Sequence, residues 1–593
     1  MEPLVEIKNL SIRFPEGNST FEAVKGISFS IGKGEIVGVV GESGSGKSMS
    51  ALALMGLLPK DAEIASGSLC FQGEDLVTMK PEKRRQLCGS KMAMVFQEPM
   101  TSLNPVLKIE RQVGESLRIH TKLGNAEIHE RVVQALSEVG LPDPEGLCGK
   151  YPHELSGGMR QRVMIAQAMI NSPSLLIADE PTTALDCVVQ AQILELLRNI
   201  HRTKGTSILF ISHDLNVVRA LCSRVIVVYK GEIVEEGQTE DVLLHPKHEY
   251  TRHLVASIPE GEKGESSGGE ILRLTDLNVF YDVRGGLFRK KGKKHVIHDL
   301  NLSAREGEIV GIVGESGCGK STLARLALGL IEPTEGTVRF KNAPIPERDS
   351  AAWRAQRASM QMIHQDPYAC FDPRLPIIVQ VAEPLRHHRG LSKEAAAKAA
   401  LEVLRAAGLP AHHAGRRPSV MSGGQLQRAA IARAVALEPA LLVCDEPVAS
   451  LDVSIQAQVL ELLLQLRNRM KMAMLFVSHN LSVVRCICDR VTVMYLGRIV
   501  ESGTVEAVFS RPLHPYTKLL MASTPGADAH VVRYYPKGAM PSPIDRPKGC
   551  VFASRCPLAE ARCRTDVPPL RDDGSGHLAA CFSGPSFLLH PEA

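Results

Sequence analysis

The chain has 593 residues, too many for one hydrophobic core, and its length alone predicts about three or four domains. Apolar residues make up 44% and charged residues 23% of the sequence, as in an ordinary globular protein, and a formal net charge of +4 does not favour nucleic-acid binding. The first residues lack a basic stretch followed by an apolar core, and no run of about 18 apolar residues occurs, so we expect neither a secretory signal nor a membrane span.

The first half of the sequence alternates between predicted strands and helices. Short apolar runs predict buried strands at residues 35–40, 174–180 and 206–214. The glycine-rich stretch GESGSGKS at residues 41–48 follows the first of these strands, and residues 48–58 predict a helix. Residues 226–237 predict a hairpin with Lys230 and Gly231 at its turn. This alternation predicts an α/β domain whose mostly parallel sheet is covered on both faces.

The sequence repeats itself at long range. GESGSGKS recurs as GESGCGKS at residues 314–321, and FQEP around Gln97 recurs as HQDP around Gln365. LSGGMRQR recurs as MSGGQLQR, LLIADEP as LLVCDEP and ISHDL as VSHNL, each 266 residues further along the chain. The segments around Tyr250 and Tyr516 are also 266 residues apart. A constant offset over so much of the chain indicates two whole domains of one fold.

The repeated glycine-rich stretch has the G-x-x-x-x-G-K-S pattern of a phosphate-binding loop (P-loop). Its glycines let backbone N–H groups approach an anion at the positively polarised start of a helix. We expect Lys47 and Lys320 to bind nucleotide phosphates, and Ser48 and Ser321 to bind Mg²⁺. A single match could be an ordinary glycine turn, but two copies between a strand and a helix exclude that interpretation. The predicted phosphate-binding residues are Gly41, Ser43, Gly44, Gly46, Lys47, Ser48 and Met49 in the first copy, and Gly314, Ser316, Gly317, Gly319, Lys320, Ser321 and Thr322 in the second.

Pairs of acidic residues follow two of the predicted strands. Asp179 and Asp445 each come after four mostly apolar residues, and a carboxylate at such a strand end suits the Mg²⁺ shell of a P-loop site. The next residues, Glu180 and Glu446, are predicted to polarise an attacking water. An isolated Asp–Glu pair would more often be a helix cap or half of a salt bridge, but beside a P-loop we favour catalysis.

The stretches LSGGMRQR and MSGGQLQR resemble the signature of ATP-binding-cassette (ABC) ATPases, and the resemblance covers nearly the whole chain as two cassettes. It implies two tandem P-loop nucleotide-binding domains, each with a mixed, mostly parallel sheet and a helical subdomain, and a short cysteine-containing C-terminal extension. It also implies ATP hydrolysis with ATP and Mg²⁺, each ATP being held between the P-loop of one cassette and the signature of the other. Such half-sites explain why one chain carries two phosphate loops.

The resemblance assigns roles to further residues. Gln97 and Gln365 match the family's Q-loop, which senses Mg²⁺ and the membrane partner, and His213 and His479 match the histidine that contacts the γ-phosphate. The predicted catalytic residues are Glu180, Glu446, His213 and His479. The predicted Mg²⁺ ligands are Ser48, Gln97, Asp179, Ser321, Gln365 and Asp445.

Each signature is predicted to begin a helix after its serine, a favourable N-cap, so that glycine N–H groups can approach a γ-phosphate. The predicted nucleotide-binding residues of the signatures are Ser156, Gly157, Gly158, Ser422, Gly423 and Gly424. Phe14 and Tyr281 occupy positions where the family stacks an aromatic ring on adenine. The second copy departs from the pattern mildly at Cys318 and Met421, and since both copies keep a glutamate and a histidine, we predict two hydrolytic sites.

Other segments resemble one branch of the family, the ATPases of dipeptide, oligopeptide and glutathione importers. They are QEPMTSLNP, QDPYACFDP, YPHELSGGMRQRVMIA, ASLDVSIQAQ and the segments around Tyr250 and Tyr516. The resemblance implies a bacterial importer of peptides or peptide-like solutes, in which ATP-driven closure of the cassettes moves two membrane permeases. An extracytoplasmic solute-binding protein would be a further partner. The chain would be a peripheral subunit at the cytoplasmic face of the inner membrane.

Fourteen cysteines divide into two groups. Ten lie between Cys70 and Cys488 and are predicted to be reduced and inert. The other four lie in a segment that resembles the C-terminal extension of the peptide ATPases, at Cys550, Cys556, Cys563 and Cys581. Their spacing argues against zinc. By resemblance to some relatives they could hold a [4Fe–4S] cluster, and the alternative is a small cap of reduced thiols without metal.

The sequence predicts four segments, namely a first cassette at 1–258, a Gly/Ser/Glu-rich flexible linker at 259–270, a second cassette at 271–525 and the extension at 526–593. A soluble twin-cassette ATPase acting on ribosomes is the alternative function, but it would carry a long charged helical linker and a basic arm. A DNA-repair cassette would need a coiled-coil insertion between Gln97 and Ser156. Neither feature occurs, so the importer is favoured.

Overall fold

The structure, a computed structural model, describes residues 3–16, 19–183, 185–256, 268–283, 292–449, 451–524, 541 and 546–583. The chain divides into two compact units, formed mostly by residues 1–185 with 189–257 and by residues 258–451 with 455–593. Most of the predicted linker lies outside the described residues, and its last residue, Glu270, begins a strand.

The first unit is an α/β cassette. Its strands are β1 (Val5–Glu16), β2 (Ser19–Ile31), β3 (Ile36–Val40), β4 (Glu63–Phe71), β5 (Glu74–Asp75), β6 (Met92–Val95), β7 (Leu175–Asp179), β8 (Ser207–Ser212), β9 (Arg224–Tyr229) and β10 (Glu232–Gln238). Its α-helices are α1 (Lys47–Met55), α2 (Pro81–Leu87), α3 (Pro99–Ser102), α4 (Ile109–Val113), α5 (Glu115–His120), α6 (Asn125–Glu138), α7 (Pro144–Cys148), α8 (Gly157–Met169), α9 (Cys187–Lys204), α10 (Leu215–Leu221), α11 (Thr239–Leu244) and α12 (Glu249–Ala256). A short 3₁₀ helix covers Pro152–Glu154.

Two sheets form this cassette. The larger has the order β10-β9-β3-β8-β7-β6, parallel except for the edge strand β10, and the smaller is antiparallel with the order β2-β1-β4-β5. Because side chains alternate along a strand, Val37 and Val39 of β3 pack with the smaller sheet and α1, while Ile36 and Val40 pack with the helices on the other face. Apolar residues on both faces explain why the central strands read as continuous apolar runs.

The predicted strands and hairpin are confirmed, and one predicted helix is too long. Lys230 and Gly231 join β9 to β10 with φ of 49° and 88°, the positive values that a tight hairpin turn requires. The predicted helix at 48–58 ends earlier, at Met55, because Gly56 adopts φ of 69° and its N–H donates to the carbonyl of Ala53.

The second cassette repeats the design. Its strands are β11 (Glu270–Val283), β12 (Gly292–Arg305), β13 (Ile309–Val313), β14 (Glu335–Phe340), β15 (Ala343–Pro344), β16 (Met360–Ile363), β17 (Leu441–Asp445), β18 (Ala473–Val477), β19 (Arg490–Tyr495) and β20 (Arg498–Thr504). Its α-helices are α13 (Lys320–Ala327), α14 (Ala351–Gln356), α15 (Ile377–Arg389), α16 (Lys393–Ala406), α17 (Ala411–Ala414), α18 (Gly423–Val435), α19 (Val453–Met470), α20 (Leu481–Ile487), α21 (Val505–Ser510) and α22 (Pro515–Ser523). Its 3₁₀ helices are Arg357–Ser359, Tyr368–Cys370 and Pro418–Val420. Among the described residues, no helix combines the length and hydrophobicity that a membrane span requires.

The C-terminal extension joins the main sheet of the second cassette. It contains α23 (Ala561–Thr565), β21 (Arg571–Asp572) and β22 (Leu578–Ala579), and the main sheet runs β16-β17-β18-β13-β19-β20-β22-β21. In the antiparallel pair of β22 and β20, Ala579 lies opposite Glu501 and Leu578 opposite Ser502. The extension therefore continues the cassette fold rather than forming a separate core.

His514 is buried where the extension covers the second cassette. It is 1% exposed and caps α22, its Nδ1 accepting the N–H of Tyr516 at 3.0 Å. Burial lowers the pKa of His514 to about 4, although the nearby Glu501 carboxylate opposes the shift. The equivalent His248 of the first cassette accepts the N–H of Tyr250 at 3.1 Å but is only half-buried.

Acid should therefore destabilise the second cassette through His514. An unfolded histidine has a pKa of about 6.5. Between pH 6.5 and pH 4 the unfolded state therefore binds more protons than the folded state does. As a result, the free energy of unfolding falls by about 1.4 kcal/mol per pH unit as the pH drops. His514→Asn keeps a capping acceptor without the titration. Urea unfolding should show that this variant loses about 2 kcal/mol less than the wild type between pH 6.5 and pH 5. His248→Asn is the control and should follow the wild type. Identical pH dependence in both variants would contradict the assignment.

Candidate functional site

The first phosphate loop joins β3 to α1, and glycines give it its shape. Gly41, Gly44 and Gly46 have φ of 155°, 79° and 95°. A Cβ atom on Gly41 would lie 2.1 Å from the carbonyl oxygen of Val228, and one on Gly46 would lie 2.4 Å from that of Ala23. Both backbone conformation and lack of space thus exclude larger residues. The result is a backbone loop at the N-terminus of α1, the arrangement that binds phosphate.

Lys47 lies inside this loop. Its Nζ donates to the carbonyl oxygens of Gly41 and Glu42, both at 2.7 Å. Burial lowers the pKa of Lys47, and the nearby Glu180 carboxylate only partly offsets that shift. The ammonium group is thus held within the curve of the loop, where a nucleotide phosphate would be its partner.

Ser48 and Asp179, two predicted Mg²⁺ ligands, are brought together. The Oγ of Ser48 donates to Oδ1 of Asp179 at 3.0 Å. Burial raises the pKa of Asp179 to about 6, although the hydrogen bond from Ser48 opposes this shift. Hydroxyl and carboxylate oxygens are the donors that Mg²⁺ prefers, so these residues fit the predicted ion. The third predicted ligand, Gln97, bonds instead to the neighbouring Glu180.

Several segments converge on the carboxylate of Glu180. Its Oε2 accepts hydrogen bonds from Nε2 of Gln97 and Oγ1 of Thr183, both at 2.9 Å, and lies 3.2 Å from Nδ1 of His213. Glu180 has φ of 45°, uncommon for a residue with a side chain, and its N–H donates to the carbonyl of Ile211. The sheet therefore holds this residue in a conformation that it would not adopt alone.

Glu180 and His213 influence each other's charge. Burial raises the pKa of Glu180, whereas the hydrogen bond and the charge of His213 lower it. The lowering effects together outweigh burial, so the pKa of Glu180 lies below its usual value. Burial lowers the pKa of His213, whereas the Glu180 carboxylate raises it. The raising effects outweigh burial, so the pKa of His213 lies above its usual value. The carboxylate is consequently ionised at neutral pH and able to orient a water molecule.

The second phosphate loop reproduces these contacts. The Nζ of Lys320 donates to the carbonyl oxygens of Gly314 at 2.7 Å and Glu315 at 3.2 Å. The Oγ of Ser321 donates to Oδ1 of Asp445 at 3.3 Å. The hydrogen bonds of the phosphate-loop lysine and serine are therefore the same in both cassettes.

The equivalent carboxylate of the second cassette, that of Glu446, lacks the contact that Thr183 makes in the first. Glu446 has φ of 49°, accepts Nε2 of Gln365 at 2.8 Å and lies 3.2 Å from Nδ1 of His479. Alanine stands at position 449, where the first cassette has Thr183. Position 449 therefore supplies no hydroxyl donor to the carboxylate of Glu446, unlike Thr183 in the first site.

Cys318 replaces Ser45 in the second loop without loss of a hydrogen bond. Both residues are buried, and the Oγ of Ser45 has no hydrogen-bond partner among the described residues. A thiol at this position therefore removes an unsatisfied polar atom, which explains why the loop accepts the exchange.

The signature serines cap helices, as the sequence predicts. Ser156 precedes α8 and accepts the N–H of Met159, and Ser422 precedes α18 and accepts the N–H of Gln425. A Cβ atom on Gly158 would lie 2.6 Å from Val189 of α9, so glycine is needed for close helix packing. No hydrogen bond between described residues links a signature to the phosphate loop of its own cassette. Nucleotide binding by Ser156, Gly157, Gly158, Ser422, Gly423 and Gly424 stays a prediction.

The predicted adenine-stacking residues occupy equivalent positions. Phe14 lies opposite Phe21 in the pair of β1 and β2, and Tyr281 lies opposite Lys294 in the pair of β11 and β12. Phe14 is half-buried and Tyr281 is 41% exposed. Their contact with adenine stays a prediction.

Two tyrosines that support the phosphate loops had no role assigned from sequence. The hydroxyl oxygen of Tyr250 accepts the N–H of Glu42 at 2.9 Å, and that of Tyr516 accepts the N–H of Glu315 at 2.8 Å. The hairpin turns add support, since the N–H of Gly231 donates to the carbonyl oxygen of Ser45. The constant offset of 266 residues between the two tyrosine segments is the sequence signal that could have pointed to a shared role.

The four cysteines of the extension carry free thiols, with Cys550 and Cys563 buried and Cys556 and Cys581 half-buried. Burial raises the pKa of Cys556 to about 12, although a backbone hydrogen bond opposes the shift, and the nearby thiols add to it. Within the described ranges, no group of three or more histidine, cysteine, aspartate or glutamate side chains is placed to hold a metal ion. A [4Fe–4S] cluster at these cysteines stays a prediction.

Two family models match stretches of this sequence in both halves of the chain. The model described as "ABC transporter" matches residues 24–183 and 297–449. The model described as "Oligopeptide/dipeptide transporter, C-terminal region" matches residues 234–279 and 500–563, which include both tyrosine segments.

Curated relatives align over most of their length. The chain is 43% identical over 528 residues to a peptidoglycan transport ATP-binding protein of Agrobacterium fabrum, covering 88% of this chain and 96% of the relative. It is 40% identical over 560 residues to a glutathione import ATP-binding protein of Pectobacterium atrosepticum, covering 88% and 90%. Among solved structures, a dimeric ATP-binding cassette bound to ADP and Pi aligns with 40% of this chain and 98% of that chain, at 28% identity and a TM-score of 0.37.

The hydrogen bond from Thr183 should tune the first catalytic carboxylate. Thr183→Ala removes a donor to ionised Glu180 and should raise its pKa, moving the acidic limb of the ATP-turnover profile up by about one pH unit. The measurement uses a Glu446→Gln background, in which only the first site turns over. The reciprocal Ala449→Thr in a Glu180→Gln background should move the limb to lower pH. Unchanged profiles in both variants would contradict this role.

Proposed function

The chain belongs to the ABC transporter family, as an ATPase with two tandem cassettes, and from that premise we propose that it energises a bacterial importer of peptides or peptide-like solutes. The observation that carries the catalytic part is the convergence of Gln97, Thr183 and His213 on the carboxylate of Glu180, repeated for Gln365 and His479 around Glu446. The match to the oligopeptide/dipeptide transporter model and the printed names of the relatives support the solute class.

In the proposed first site, the backbone N–H groups of residues 41–48 and the ammonium group of Lys47 bind the phosphates of ATP. Ser48 and Asp179 hold Mg²⁺, which when bound neutralises charge on the phosphate oxygens. Glu180, ionised through its neighbour His213, orients the attacking water. Gln97 bonds to the same carboxylate and is placed to relay the state of the site.

The proposed second site uses the equivalent residues of the second cassette. Lys320 and the loop at residues 314–321 bind phosphate, Ser321 and Asp445 hold Mg²⁺, and Glu446 orients the water with His479 beside it. Both sites are proposed to hydrolyse ATP. The proposal also includes nucleotide binding by the two signatures, as the family resemblance implies.

The proposed partners are two integral-membrane permeases and an extracytoplasmic solute-binding protein. ATP binding would close the cassettes, and this closure would drive the permeases to release solute inward. The chain would bind the membrane peripherally, at the cytoplasmic face of the inner membrane. The relatives' names as import and transport ATP-binding proteins support this assembly.

Replacing both catalytic carboxylates tests the chemistry. Glu180→Gln with Glu446→Gln should lower ATP turnover about 100-fold or more, since a positioned base contributes at least that factor, while ATP binding persists. Steady-state ATPase rates and equilibrium binding of labelled ATP measure the two effects. Glu249→Gln, a change of the same charge at an exposed position, is the control and should keep wild-type turnover. Normal turnover in the double variant would refute the catalytic assignment.

A pull-down tests the partners. Tagged protein captured from detergent-solubilised native membranes should carry two multi-spanning permeases, identified by mass spectrometry. Ribosomal proteins without membrane proteins would instead support the soluble twin-cassette alternative and overturn the importer proposal.

A further inference from the structure

The C-terminal extension reaches the second phosphate loop directly. Nη1 of Arg555 lies 2.8 Å and 3.0 Å from the carboxylate oxygens of Glu315, a residue of the loop, and 3.1 Å from the hydroxyl oxygen of Tyr495. The side chains of Arg555 and Glu315 are only 3% and 5% exposed. An ion pair so deeply buried is costly to break, because either charge alone would be left without water or partner.

The extension also supports the tyrosine that holds the same loop. Nε2 of His577 lies 2.7 Å from Oε1 of Glu501, whose side chain is fully buried. The Glu501 carboxylate accepts the backbone N–H groups of Leu513 and His514, both at 2.8 Å, at the start of α22. Tyr516 follows in α22, and its hydroxyl oxygen accepts the N–H of Glu315.

An aromatic cluster connects these two contacts. Phe552 of the extension is 1% exposed, and its ring lies 5.3 Å from that of Tyr495 and 5.4 Å from that of Tyr516. Tyr495 and Tyr516 lie 4.6 Å apart. The loop-supporting residues of the second cassette therefore pack against the extension as one buried unit.

The first cassette has the same tyrosine support without an extension. Glu235 accepts the N–H groups of Lys247 and His248 at 2.9 Å and 3.1 Å, as Glu501 does, but it is only half-buried. Among the described residues, no lysine or arginine forms an ion pair with Glu42, the counterpart of Glu315. The buried ion pair between an arginine and the loop glutamate is thus a contact that the extension adds to the second loop.

We propose that Arg555 is a positioning residue for the second ATP site, and that the C-terminal extension keeps the second phosphate loop in its nucleotide-binding shape. Arg555 acts through the loop residue Glu315. It holds the side chain of Glu315, while Tyr516 holds the backbone N–H of the same residue, so both restrain the loop between Gly314 and Lys320. Nucleotide binding by the second cassette depends on the extension, whereas binding by the first does not. The inference rests on the proposed ATP sites.

The test measures each cassette separately in the full chain. The protein is labelled with radioactive 8-azido-ATP and Mg²⁺, irradiated, and cut at a protease site introduced within residues 259–267, so that the label on each half is counted. Arg555→Met should raise the concentration for half-maximal labelling of the second half about tenfold and leave the first half unchanged. Arg555→Lys, which keeps the charge without the planar fork, should give an intermediate value.

A second variant guards against misfolding. Arg555→Met combined with Glu315→Gln removes the uncompensated buried charge and should fold, as judged by circular dichroism, yet still bind nucleotide weakly in the second half. Arg562→Met is the matched control, since Arg562 lies in the extension but pairs with Glu560 at the surface. It should leave both halves at wild-type affinity.

The failing outcomes are distinct. Wild-type labelling of the second half in folded Arg555→Met, or equal weakening of both halves, would overturn the positioning role. Lys320→Ala should abolish labelling of the second half whatever Arg555 does. Unchanged labelling in that variant would instead refute the proposed ATP site.

Discussion

The function of each cassette depends on a short length of backbone held in a shape that only glycine tolerates. Gly41 faces the carbonyl oxygen of Val228 so closely that no side chain fits, and Gly314 faces that of Met494 in the same way. Such a loop loses much conformational entropy on folding, so its neighbours must hold it. The hairpin turn at Gly231, the hydroxyl group of Tyr250 and the start of α1 do so in the first cassette. Phosphate binding thus rests on contacts from parts of the chain about 190 to 210 residues away, brought near by the parallel sheet.

A second strained element lies beside the loop. Glu180 and Glu446 have left-handed backbone conformations, and strain of this kind persists only where the surroundings over-determine it. The neighbouring strand accepts the N–H of each residue, and a glutamine and a histidine hold each carboxylate. Each carboxylate, the proposed catalytic group, is therefore held in one orientation by the protein itself. The two sites share this geometry but differ at Thr183 and Ala449, so equal chemistry need not mean equal pH dependence.

The extension gives the two cassettes a further difference. In the second cassette it adds β22 to the main sheet and buries Glu501, His577 and Arg555, so that the edge of the sheet is covered. Removing one partner of a buried ion pair is strongly destabilising, because it leaves an uncompensated charge away from water. The C-terminal extension, which follows both cassettes in the sequence, thereby supports the proposed second ATP site. Cys550, Cys556 and Cys563 pack against the hydrophobic core of the second cassette.

The sequence by itself determined the two-cassette organisation, the P-loop pattern and the candidate catalytic residues, because these features need particular residue types at short spacing. Glycines before Lys47, a carboxylate pair after β7 and a serine before α8 have local physical meaning. Only the tertiary structure decided which residues hold these groups, since Tyr516 with Glu315 and Arg555 with Glu315 are 201 and 240 residues apart. The sequence does not show which residue a tyrosine hydroxyl or an arginine guanidinium group will contact. The role of such a group arises only when the sheet brings distant strands together and water is excluded, which makes each buried contact necessary.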